Sequence, residues 1–148
     1  MPTAIPDLWP RDVFAGSSPN STATPLAVLR KQGEALGAHT QNFVSGEVQT
    51  SAGVDGKQFT HFFMLVAPLL RYRKALLQVN HGLQPYPATV VETELTKQGD
   101  KFWSREAKNE QELQDHIREF LNEARVKEIL RSVINLSNDV APLEAQST

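Results

Sequence analysis

His61 and His81 are the residues of this chain whose type and placement best suit chemistry. Two facing imidazoles could hold a metal ion or share a proton near neutral pH. They bracket the most apolar stretch, "HFFMLVAPLLRYRKALLQVNH". Read as a hairpin, its side chains alternate between two faces. Pairing Phe63 with Val79 and Leu65 with Leu77 then sets His61 opposite His81. A one-residue slip would bury Gln78 and Asn80 in place of the apolar set. A catalytic zinc site takes a third protein ligand and an open position. The sequence offers no HxH, no HExxH and no acidic ligand beside either histidine. The pair is therefore expected to be structural, with a ligand- or metal-binding pair as the alternative. No metal, cofactor or catalytic residue is expected.

Other charged groups are weaker candidates. Arg71, Tyr72, Arg73 and Lys74 fall at the hairpin tip, where cations around an aromatic could hold a phosphate or an acidic partner. A solvated turn accounts for them as well. Glu92 and Glu94 share a strand face, and paired carboxylates do acid–base work when their environments separate them. In "VVETEL" they read instead as solvated charges that guard a strand edge. "GVDG" lacks the lysine and helix start of a phosphate loop, and the GxSxG elbow of a hydrolase is absent. His39 reads as loop and His116 as a helix-boundary residue.

Composition excludes further classes. The chain has 148 residues, 40% of them hydrophobic and 22% charged, with a formal net charge of -2. That length can bury a core unaided. The charge balance gives no drive toward nucleic acid or anionic lipid. Without cysteine there are no disulfides, thiolate nucleophiles or thiolate metal sites. The apolar run is broken by "RYRK", so its uncharged part, residues 62–70, is far below the roughly 20 residues of a spanning helix. The start, "MPTAIPDLWPRDVF", has neither the basic opening nor the continuous apolar run of a secretory signal. Asn20 and Asn135 match the glycosylation triplet by chance on this reading. A soluble cytoplasmic protein that binds neither membrane nor nucleic acid is expected.

The elements that position these residues follow from pattern. "TPLAVLRKQGEALG" predicts a helix, with Thr24 as cap, Pro25 in the first turn and Gly37 as a left-handed stop. Gly33, inside it, either permits close packing on a sheet or weakens the helix. "NFVSGEVQTS" predicts a strand in which Val44 meets Leu65 and Val48 meets His61. "YPATVVETEL" supplies a fourth strand, with Pro85 and Pro87 outside its ladder, and "KFWSRE" a short fifth. Asn109 and Glu112 resemble a capping box. The stripe through Leu113, Ile117 and Phe120 changes phase near "NEARVK", which predicts two helices or one kinked helix. The expected fold is α+β: an antiparallel meander sheet of four to five strands, with an N-terminal helix and C-terminal helices packed on one face. Residues 1–23 form a proline-rich arm, 24–136 the domain and 137–148 a frayed tail.

Function follows only as far as class. Phe62, Met64 and Val66 alternate with Phe63 and Leu65, so both faces of one strand are apolar. Helices on one face leave the other to a partner, a second copy or the arm, whose Leu8, Trp9, Val13 and Phe14 are otherwise unplaced. The expectation is a non-enzymatic protein-binding module, adaptor or chaperone-like, or a homodimer, with Phe62, Met64, Val66, Arg71, Tyr72 and Arg73 as contact residues. The alternative is a small enzyme or ligand-binding domain with a pocket near His61 and His81.

Overall fold

A computed structural model describes residue 8, residues 23–93 and residues 103–146. Helix α1 spans Pro25–His39 and is followed by strands β1 (Ser45–Ala52), β2 (Phe59–Ala67), β3 (Tyr72–His81), β4 (Ala88–Glu92) and β5 (Ser104–Ala107). Helices α2 (Glu110–Leu121) and α3 (Ala124–Gln146) complete it. The strands lie in the order β1-β2-β3-β4-β5, each antiparallel to its neighbour. This is the expected α+β meander with helices on one face.

Local chemistry explains the ends of the helices. The Thr24 hydroxyl accepts from the Ala27 amide, and Pro25 occupies the first turn. Asn109 accepts from the Glu112 amide, while the Glu112 carboxylate accepts from Lys108 N–H. Helix α2 stops at Leu121, and α3 starts at Ala124 after two intervening residues, where the apolar stripe changes phase. The helical backbone of α3 then continues to Gln146, past the boundary placed at 136.

Gly37 is not the left-handed stop of α1. The helix runs on to His39, and positive φ falls instead at Gln41 and Asn42. The Thr40 hydroxyl shares its one proton between the Leu36 and Val44 carbonyls and accepts from Val44 N–H, so it organises the turn without a glycine. Gly33 is the glycine that matters in α1. A Cβ there would sit 2.2 Å from the Gly46 carbonyl oxygen of β1, and a Cβ on Gly46 would sit 2.7 Å from Gly33 Cα. The helix and the strand touch backbone to backbone.

From Phe63 outward the hairpin register is displaced by two residues from the expected one, which keeps His61, Phe63, Leu77 and Val79 on the core face, while toward the turn the shift is three and Ala75 moves to the opposite face. His61 pairs with Val79, Phe63 with Leu77, and Phe59 with His81. On the other side, Gly46 pairs with Leu65, Val48 with Phe63 and Thr50 with His61. The cause lies in the turn. Pro68–Leu70 form one 3-10 turn that Arg71 closes at φ 52°, so Ala67 pairs with Tyr72. Continued without interruption, that register would place Gln78 opposite His61 and bury it. A β-bulge between Phe63 and Met64, opposite Leu76, restores the alternation. Leu76, Leu77 and Val79 are all buried as a result. Thr93 holds the bulge by donating its amide to Leu76 O and its hydroxyl to Ala75 O.

The core lies between the sheet and the helices. Leu29 from α1, Leu65, Leu77, Val79 and Val90 from the sheet, and Leu113, Phe120 and Val126 from α2 and α3 are fully buried. Glu92 joins them. Its expected place was a solvated strand face, but it is 4% exposed. Its carboxylate accepts from the Trp103 amide at 3.0 Å and pairs with Arg125 at 2.5 Å. Glu94 lies outside the described residues.

Candidate functional site

The sheet face away from the helices carries the first candidate. Its rows follow from the pairing: Glu47, Met64 and Ala75 in one, and Gln49, Phe62, Gln78, Val91 and Ser104 in the next. Phe62, Met64, Val66 and Val91 are half-buried. Among the described residues no helix packs on this side. Arg73 reaches across β2 to Glu47 at 2.5 Å, with both side chains about half exposed. An exposed pair of this kind contributes roughly 1 kcal/mol at most, so it frames the apolar row rather than holding the sheet. Beside it lies an open groove of about 550 Å³, lined by Phe62, Lys74, Ala75, Gln78, Val91, Glu92 and Thr93.

The structure divides the residues that the sequence groups as contacts. Phe62, Met64, Val66 and Arg73 share the open face. Tyr72 packs against the core from the helix side, where it borders a hollow with Leu70, Ile129 and Val133. Arg71 closes the turn. The cations of "RYRK" are therefore not gathered around the tyrosine. Gln78, Val91 and Thr93 were missed as groove residues. Val91 was legible from strand alternation, but the position of Thr93 depends on a bulge that no sequence pattern announces. Of the arm residues expected near this face, Leu8 is 82% exposed, and Trp9, Val13 and Phe14 lie outside the described residues.

The histidines form the second candidate. They meet diagonally across β2 and β3, with Nε2 atoms 2.7 Å apart and rings stacked at 4.9 Å. Phe59 stacks on the outer side of His81 at 5.6 Å. His61 Nδ1 lies 2.8 Å from the Thr50 hydroxyl, and His81 Nδ1 lies 2.7 Å from Gly82 O. A carbonyl only accepts, so His81 Nδ1 carries a proton. In the neutral pair, His81 Nε2 then accepts from His61 Nε2–H, and His61 Nδ1 accepts from the Thr50 hydroxyl. All four ring nitrogens have partners. One added proton can be accommodated by reversing the bonds from His81 to Thr50. Two cannot, because two N–H groups would then point at each other across 2.7 Å.

Burial, then the neighbouring His81 imidazole and the Arg30 guanidinium, push the His61 pKa below its ordinary 6.5. The unfolded chain therefore binds a proton that the folded chain resists. This contribution to stability is complete above pH 6.5 and is lost as pH falls below it. The denaturation midpoint of the wild type should fall between pH 7.5 and pH 5 by more than that of His61→Phe. Equal acid slopes in the two proteins would refute this account of the pair.

Among the described residues, no three His, Asp or Glu side chains are grouped to hold a metal ion, and no helix is long and apolar enough to cross a membrane. No family model matches the chain, and neither a curated protein nor a solved structure matches it.

Proposed function

We propose that the chain is a protein-binding module, adaptor or chaperone-like, whose open sheet face receives an apolar segment of another protein. One observation carries this reading. Phe62, Met64, Val66 and Val91 are aligned beside a groove of about 550 Å³ on a face where no described helix packs. Each large apolar side chain contributes roughly 1.5–3 kcal/mol on full burial. These are already half-buried, so the row supplies part of that for each residue. The open, one-sided shape suits an extended segment better than an enclosed small molecule. The alternative site, at the histidines, is less favoured because Thr50, Gly82 and the rings themselves engage every ring nitrogen.

Peptide selection by phage display on the immobilised chain tests the proposal. Apolar sequences should be enriched. Their affinity should fall about tenfold or more, equivalent to roughly 1.4 kcal/mol, in Met64→Asp with secondary structure retained. Absence of enrichment, or equal binding by Met64→Asp, would remove the open face as the site.

A further inference from the structure

Among the described residues, no strand or backbone hydrogen bond meets the outer edge of β1 beyond Gly46. Gly53 N–H donates to Gln58 O at 2.6 Å, in register with the pair Ala52 and Phe59. Antiparallel ladders alternate, so Glu47, Gln49 and Ser51 exchange bonds with β2. Val48, Thr50 and Ala52 then direct their N–H and C=O groups outward. Folds usually guard such an edge with proline, lysine, a bulge or a covering element. Helix α1 approaches β1 at Gly46, where Gly33 meets the carbonyl. Beyond it, residues 48–52 have none of these guards among the described residues. The segment reads "VQTSA", its register with β2 is unbroken, and Gln49, Thr50, Ser51 and Ala52 are exposed. The one carboxylate of β1, Glu47, is paired with Arg73.

We infer that this edge pairs with the same edge of a second copy, joining two sheets about a two-fold axis at Thr50. The segment is self-complementary. Around that axis Thr50 faces Thr50 of the other copy, Val48 faces Ala52, and Gln49 faces Ser51. No like charges meet, and the outward groups form about six backbone hydrogen bonds. Isologous pairing closes at two copies. It also sets the two open faces side by side and leaves both grooves free, so it goes beyond the binding role proposed above. Five residues per copy make a seam smaller than a standard interface, so the dimer dissociates on dilution.

The test is sedimentation velocity from millimolar to low micromolar protein, on the wild type, Ala52→Pro and Met64→Asp. Ala52 directs its N–H outward, so proline there removes a seam donor and keeps the bonds to β2. The wild type should pass from dimer to monomer on dilution. Ala52→Pro should weaken the dimer about tenfold or more, and Met64→Asp should leave it unchanged. The second measurement reads register. The chain has no cysteine, so an equal mixture of Gln49→Cys and Ser51→Cys proteins should oxidise mainly to the mixed disulfide. A monomer at every concentration overturns the inference. So do a dimer indifferent to Ala52→Pro, one abolished by Met64→Asp, or like-with-like disulfides as abundant as mixed ones.

Discussion

Gly33→Ala should destabilise the domain by about 3 kcal/mol, although alanine in place of glycine inside a helix ordinarily stabilises by about 1 kcal/mol. The reversal comes from contact. The added Cβ would lie 2.2 Å from Gly46 O, 2.8 Å from Gly46 C and 3.1 Å from Gly46 Cα. All three are backbone atoms of a paired strand, so no side chain can turn aside. Either β1 distorts or α1 lifts. Lifting α1 exposes Leu29 and Val28, which are 0% and 6% exposed, and overpacking of this kind typically costs about 1–3 kcal/mol before such losses. Gly37→Ala is the control. Its Cβ would meet the Asn42 side chain at 3.0 Å and the Ser45 Cβ at an ordinary 3.8 Å, and the helix gain offsets the closer contact, so the net change should be within about 1 kcal/mol. Thermal denaturation measures both. The Gly33 variant should melt about 10 °C lower, given a few degrees per kcal/mol for a chain of this size. A melting temperature equal to the wild type would mean that α1 does not lie against β1 at this glycine.

Much of the fold was legible because local chemistry and global packing agree in it. Thr24 with Pro25, Asn109 with Glu112, and the phase change near Glu123 each mark a helix boundary through chemistry that acts within a few residues. Strand alternation placed Phe63 and Leu65 on one face and Phe62, Met64 and Val66 on the other. What remained illegible depends on two segments meeting. Face assignment is blind to a shift of two residues, so the true register emerged only with the 3-10 turn at Pro68–Leu70 and the bulge at Leu76. Glycine 37 looked like a helix stop because the Thr40 hydroxyl, which closes that turn, leaves no composition signal.

The candidate site was legible to the same degree. The apolar row on the open face follows from period two. The groove beside it does not, since its wall includes Ala75, which the bulge turns onto that face, and Thr93, which caps the bulge. The histidines were expected directly opposite each other. They are diagonal neighbours, yet their long rings still meet. That geometry is what joins Thr50, His61, His81 and Gly82 into one chain of hydrogen bonds.

Arg125→Ala should cost about 3–5 kcal/mol, the usual penalty for removing one partner of a buried ion pair. The Glu92 side chain is 1% exposed and that of Arg125 is 26% exposed. Glu92 ends β4 opposite Leu77, one of the most deeply buried residues of the sheet. Its carboxylate fastens two elements, accepting from Trp103 N–H just before β5 and pairing with Arg125 in the first turn of α3. The guanidinium also meets Glu123 at 2.8 Å and lies over the Phe120 ring at 5.8 Å. Alanine removes the charge and the packing of the arginine stem together, leaving the carboxylate charge short of its buried counter-ion. Arg73→Ala is the comparison, because its pair with Glu47 is about half exposed and should be worth no more than about 1 kcal/mol. The double variant Glu92→Gln with Arg125→Met separates charge from packing. Glutamine still accepts from Trp103 N–H, methionine still covers Phe120, and neither leaves a buried charge, so much of the lost stability should return. Urea denaturation of the three proteins gives the ordering. If Arg125→Ala proves as mild as Arg73→Ala, the Glu92 carboxylate is not held by Arg125, and α3 is anchored to the sheet by its apolar contacts alone.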